Sequence, residues 1–237
     1  MNYSSRHRAR LNSGIRCVMR QLLAIAFALA ACSVIAAEPP DGKCAYDQEA
    51  LLSLDEAAFD QDLPNGGWRR IGNIPGCEAA AADLIAAYRA RHPESSSTVA
   101  WHQGQMLASA GMNEQAVPAL ESARKDPSED VAGWNHYVDA TIAFLFGDRE
   151  RLEQARDQLA AVPHDATPGM PPLVDGYIEL PTQPGQPPIR MRWPPNIDVV
   201  DGLINCFGKP YSEAYGASCR PGDEYDASQL TREMQRS

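Results

Sequence analysis

Three glycines set the frame of this chain. Gly76, Gly111 and Gly147 stand 35 and then 36 residues apart, and each separates two stretches that read as helix. Five residues after each glycine come Ala81, Ala116 and Leu152, and twelve after come Tyr88, Ala123 and Leu159. The ninth place holds Ile85 and Leu120, then departs to Arg156. Steps of three and four residues keep these positions on one helical face. A repeat of this length predicts stacked helix hairpins, because one such unit cannot bury its apolar side alone.

Around that frame the chain divides into segments. Residues 38–163 read as a helical repeat domain. Tyr46–Leu63 carries Leu51, Leu54, Ala58 and Phe59 at helical spacing and is expected to be one helix, ended by Pro64–Gly67. Glu78–Pro93 is alanine-rich and predicts a second. The stretch from Ala100 to Pro127 gives two more around Gly111. Pro118 requires the later one to begin near Asn113 or Glu114, or to kink, since proline suits only a first helical turn. Ser128 or Asp130 stands ready to cap the helix expected over Val131–Phe146, which is apolar on nearly every side and so expects cover on more than one face. A further amphipathic helix follows Gly147. Residues 164–195 are proline-rich: ten of the nineteen prolines fall between Pro163 and Pro195. "GYIEL" and "IRMRW" alternate on either side of "PTQPGQPP", the pattern of a small β-hairpin. Residues 196–220 predict two short helices joined by a Gly-Lys-Pro turn, and 221–237 a polar tail. The fold class is therefore mainly α: antiparallel helix hairpins, then a proline-rich segment with a small hairpin, then a C-terminal helical pair packed on the repeats.

The spacing over Ala100–Pro127 resembles the tetratricopeptide repeat, a helix–turn–helix unit. Gly104 stands at the small place of its first helix and Leu107 at the large one. Gly111 is the turn glycine, and Ala116, Leu120 and Ala123 follow in the second helix. Small residues let paired helices approach, and large ones fill the gap to the next pair. The resemblance covers about Trp68 to Pro163. It departs at Ala100, where the family has a large aromatic, at Arg156, and in the short first helix of the first unit. An ordinary helix-hairpin bundle is the alternative. The resemblance implies a peptide or protein partner held in a groove lined by the first helices, at Thr98, Trp101, Gln105 and Ala108 in the central unit. In the third unit the places are Trp134, Tyr137, Thr141 and Phe144. Trp101, one place after Ala100, turns about 100° away from the core position. That face is either open or covered by the proline-rich segment or the C-terminal helices.

The N-terminus reads as an export signal. Arg6, Arg8, Arg10, Arg16 and Arg20 precede the apolar run Leu22–Ala31, which is shorter than the roughly 20 residues a membrane span needs. Residues 1–37 are expected to be removed, with translation starting at Met19. Cleavage near Ala37 competes with a lipoprotein reading of "LAAC", which would place a lipid on Cys32. Without residues 1–37 the chain has 16 basic and 31 acidic residues, a charge of −15. Such a surface disfavours nucleic acid and anionic lipid as partners. Cys44, Cys77, Cys206 and Cys219 remain, and export predicts disulfides among them. Proximity in sequence favours Cys44–Cys77 and Cys206–Cys219, among three possible pairings. No close cysteine pair suggests zinc, and no cofactor is expected.

Catalytic signatures are lacking. His92, His102, His136 and His164 stand in no metal motif, and no nucleophile elbow or phosphate-binding loop occurs. Asp55, Glu56, Asp60 and Asp62 cluster early and would serve an acid–base pair, although solvated charge is the commoner role. Two functions follow. One is an exported, non-catalytic binding or scaffold protein of the cell envelope, probing a peptide or protein through the groove. The other is an envelope hydrolase using carboxylates. The exported protein is expected in the periplasm, or on the outer membrane as a lipoprotein.

Overall fold

The computed structural model describes residues 42–62, 66–164, 169–180 and 188–220. The expected signal, Met19, Cys32, most of the hairpin connection and the polar tail lie outside them. The fold is mainly helical with one small antiparallel sheet. Five helices form its body: α3 (Glu78–Arg91), α4 (Ser97–Ser109), α5 (Asn113–Glu121), α6 (Trp134–Leu145) and α7 (Arg149–Ala160), preceded by the short α1 (Gln48–Leu52) and α2 (Arg69–Gly72). Neighbours in sequence pack as α3 on α4, α4 on α5 and α6 on α7. Gly104 explains the closeness of α4 and α5. A Cβ there would lie 2.5 Å from Cδ2 of Leu120 and 3.2 Å from its backbone nitrogen.

The glycine frame closes the helices as expected of left-handed caps. Gly111 has φ 75° and Gly147 φ 68°. Gly111 N–H bonds to the Ala108 carbonyl and Met112 N–H to Leu107. The same pair recurs as Gly147 to Phe144 and Asp148 to Ala143, so both helices end in one Schellman geometry.

Tyr46–Leu63 is not one helix. Asp47 caps α1 through Ala50 N–H at 3.0 Å, and Ser53 ends it. Asp55 then takes Ala58 N–H at 2.8 Å and starts a separate turn, wound as π-helix over Ala57–Gln61. Two side chains that compete for backbone donors divide what periodicity alone joins. Helix α6 likewise starts at Trp134 rather than Val131. Gly133 has φ 78°, and the Asp130 carboxylate accepts from Trp134 and Asn135 N–H at 2.6 and 2.7 Å. Helix α5 begins at Asn113 and accommodates Pro118 beyond its first turn.

Strands β1 (Tyr177–Leu180) and β2 (Ile189–Arg192) pair antiparallel, with Tyr177 opposite Arg192 and Leu180 opposite Ile189. Trp193 anchors the hairpin, donating its indole N–H to the Val162 carbonyl at 3.0 Å. Helix α8 (Ile197–Asn205) packs on α6 and α7. Arg156, the residue that departs from the repeat, donates to Asp201 of α8 at 2.8 Å. Helix α9 (Tyr211–Ala214) is one turn long, and a 3-10 turn over Ala217–Cys219 follows. Both expected disulfides form, Cys44–Cys77 and Cys206–Cys219. Most buried apolar side chains fall into two clusters. One surrounds Phe59, Trp68, Leu84, Ile85 and Tyr88; the other fills the space between α4 and α9.

Candidate functional site

The face that α4 and α6 share holds most of the aromatic side chains singled out by sequence. Trp101 on α4 meets Trp134 edge-on at 5.0 Å and Tyr137 at 4.6 Å, both from α6. Trp134 is half-buried and donates its indole N–H to the Ala123 carbonyl at 2.8 Å. Thr141 is fully buried and bonds back to the Tyr137 carbonyl at 3.0 Å. Thr98 is half-buried at the start of α4. Phe144 lies under Tyr211 and Phe207, at 6.2 and 6.1 Å between ring centres.

This face is not an open groove. Trp101 is only 3% exposed, and Gln105, Tyr137 and Thr141 are buried as well. The C-terminal segment covers them. Tyr211 is buried against Phe144, and the Gln105 side-chain amide donates to its hydroxyl at 3.3 Å. Tyr215, four residues on, lies beside Tyr211 with ring centres 5.5 Å apart. Burial pushes the Tyr137 phenol well above its ordinary range, and the neighbouring Tyr215 and Tyr211 add to this. Burial raises Tyr211 too. These phenols stay neutral and serve as hydrogen-bonding groups.

One part of the face remains reachable. A cleft of about 560 Å³ opens between the α4–α5 turn, the α6–α7 turn and the turn Gly208–Pro210. Ala108, Phe144 and Tyr211 form its buried wall, and Phe146 stands at its edge, 60% exposed. Asn113 links the first two turns by donating to the Leu145 carbonyl at 3.2 Å. The volume lies within the range of ligand sites, roughly 300–1,000 Å³. Helices α4 and α6 both end here, and the partial negative charge of two helix C-termini favours a donor-bearing or cationic group at the mouth.

A second constellation lies at the π-helical turn. Asp60 is fully buried. Its carboxylate accepts from Trp68 Nε1 at 2.8 Å and His102 Nδ1 at 2.6 Å, with Arg69 at 3.8 Å. Arg69 also donates to the Asp60 carbonyl and lies over the Trp68 ring at 4.3 Å. Burial works to raise the Asp60 pKa, but the hydrogen bond and charge of His102, then Trp68 and Arg69, outweigh it and hold the carboxyl below its usual value. Burial lowers Arg69, against the pull of Asp60, Asp62 and Tyr215. With Nδ1 committed to Asp60, Nε2 of His102 is left as the free ring edge, and no described Ser, Thr or Cys bonds to it. Of the four acids clustered in sequence, Asp60 alone is buried. Sequence reasoning had no signal separating it from its neighbours, because the π turn that rotates it inward leaves no periodicity.

His92 and His164 have structural partners, while the buried Nδ1 of His136 has no hydrogen-bond partner among the described residues. His92 Nε2 lies 2.9 Å from the Leu52 carbonyl with its ring stacked on Tyr88, and His164 Nε2 lies 2.7 Å from the Pro171 carbonyl. Among the described residues no three His, Cys, Asp or Glu side chains are grouped to hold a metal ion, and no helix is long and apolar enough to cross a membrane. Comparison with protein-family models, with curated proteins and with solved structures finds no match to this chain.

Proposed function

We propose that this chain is an exported, non-catalytic binding protein of the cell envelope, which recognises a peptide or protein segment at the face shared by α4 and α6. The observation that carries the reading is the cleft. Its wall includes Ala108 and Phe144, two of the positions expected to line a groove, and an exposed phenylalanine, Phe146, stands at its edge. Exposed aromatics beside a concave, partly apolar wall suit the anchor of a partner segment. The tetratricopeptide-like spacing supports the same role. Two disulfides fit an oxidising compartment. The basic and then apolar N-terminal sequence supports export, with cleavage near Ala37 to a periplasmic protein, or at Cys32 to a lipoprotein.

The test uses the mature protein crosslinked in its native envelope fraction. Phe146 is exposed, so Phe146→Asp leaves the core intact. Wild type is expected to capture a defined partner that Phe146→Asp loses. Capture of the same proteins by both would reject the cleft. The Asp60–His102 pair favours a second reading, a hydrolase in which His102 Nε2 takes a proton from water while Asp60 orients the ring. Turnover of simple ester or glycoside substrates by wild type and not by His102→Gln would support it. Equal rates would dismiss it.

A further inference from the structure

We infer that a hollow between α6 and α7 is a binding site for a free α-amino acid. It lies apart from the cleft and does not depend on the binding role proposed above. Its floor is Ala155, 3% exposed at the middle of α7. Arg151 stands four residues before Ala155 and Gln158 three after, so both project from the same side of the helix and form walls. Gln154 and, from α6, Asp139 complete the lining. A short side chain between long ones leaves the hollow open.

The polar groups of this lining are incompletely used. The guanidinium of Arg151 makes no hydrogen bond or ion pair with any described residue, in a chain of 31 acidic and 21 basic residues. Among the described arginines only Arg70 shares this. The side-chain amide of Gln158 is likewise without a partner among the described residues. Gln154 donates to Glu150 at 3.2 Å, which leaves its own oxygen free to accept. Asp139 takes Arg124 Nη2 on Oδ1 at 2.7 Å, and its Oδ2 accepts from no described residue. Arg124 is also bonded to Glu121 and lowers the Glu121 carboxyl; the charge of Arg151 adds to this. Two arginines and two carboxylates therefore balance around the hollow, and each sign keeps one open bonding edge, the Arg151 guanidinium and Oδ2 of Asp139.

The ligand follows from that balance. A lone anion on Arg151 would be repelled by Asp139, and a lone cation on Asp139 by Arg151. A carboxylate and an ammonium carried on one carbon meet both edges with charge-assisted hydrogen bonds. The two glutamines add neutral donors and acceptors for a polar side chain. The hollow measures about 160 Å³, below the roughly 300–1,000 Å³ of sites for larger ligands. That space suits one small amino acid. Inside a peptide both charges are gone, so the same lining discriminates against chain segments.

L-Serine is the probe, titrated into the full mature chain and followed by backbone and side-chain amide resonances. Those of Asp139, Ala155 and the Gln158 side chain are expected to shift and to saturate by about 50 mM. N-acetyl-L-serine lacks the ammonium and L-serinamide the carboxylate. Each is expected to bind at least about tenfold more weakly, as loss of a charge-assisted hydrogen bond requires. Arg151 is exposed, so Arg151→Met leaves the core intact and is expected to weaken L-serine by the same factor. Arg70→Met removes the other unpartnered arginine, outside the hollow, and should leave binding unchanged. Shifts that fail to saturate, that map away from α6 and α7, or that N-acetyl-L-serine reproduces at equal concentration would overturn the inference. Equal affinity of Arg151→Met would do the same. The Phe146 capture experiment reads a different surface, so the two failures are distinct.

Discussion

Asp60 holds its charge where water does not reach, and the donors around it decide what that charge does. Trp68 and its neighbour Arg69, and His102 from α4, meet on one carboxylate. Removing the charge leaves Arg69 without its counter-ion in a site where its side chain is 13% exposed. Asp60→Asn is expected to cost about 3 kcal/mol at neutral pH, read by urea denaturation. The pH dependence has a definite sign. The folded-state pKa is depressed, so the stabilisation is complete above the unfolded value of about 4 and is lost as pH falls towards the folded value. The gap between wild type and Asp60→Asn should therefore narrow below about pH 4. A gap that stays constant from pH 7 to pH 3 would show that the carboxylate is not linked to folding. Trp101 is the other residue on which stability turns. Its indole is enclosed by Trp134 and Tyr137, and Trp101→Ala should cost about 3–5 kcal/mol. A loss under about 1 kcal/mol would mean that the covering segment leaves the face often enough to wet the ring.

Elements show how far a sequence can be read. The helix α3 over Glu78–Arg91, the caps at Gly111 and Gly147, the small hairpin and both disulfides were legible, because each depends on neighbours close in sequence. Helical spacing also placed Trp101, Gln105 and Ala108 on one face of α4. What covers a face is set by contacts such as Gln105 with Tyr211, 106 residues apart, and periodicity carries no record of them. Starts of helices were misplaced where side chains compete with the backbone. Val131 fits the apolar pattern of α6, yet Asp130 reaches forward past Gly133 to cap Trp134 and Asn135 with both carboxylate oxygens. Asp130→Ala should cost about 1 kcal/mol, within the usual range for a cap. The loss should appear as faster amide exchange confined to the first turn of α6. Unchanged exchange there would assign the start of the helix to packing of Trp134 instead.

At the scale of the whole molecule, two buried clusters raise the question of whether the chain unfolds in one step or two. Each cluster has its own disulfide, Cys44–Cys77 beside Phe59 and Trp68, and Cys206–Cys219 beside Leu203 and Tyr211. That arrangement would suit two independent units. The helices between them argue otherwise. Helix α3 supplies Leu84, Ile85 and Tyr88 to the first cluster, while Ala82 from the same helix belongs to the second. Helix α4 divides in the same way, with Val99 in one and Ala100 and Trp101 in the other, and Met106 packs against both. His102 adds a polar link, tying α4 to Asp60 in the first cluster. No helix boundary coincides with the seam, so melting either cluster exposes buried residues of both α3 and α4. Cooperativity follows from shared elements of this kind. Urea unfolding of the oxidised chain is expected to be a single transition, with tryptophan fluorescence of Trp68-only and Trp101-only variants coinciding with the loss of helical ellipticity. The remaining tryptophans in each variant would be replaced by phenylalanine. Midpoints separated by more than about 0.5 M urea, beyond the uncertainty of such a fit, would show that the clusters come apart and that α3 and α4 can fray without each other.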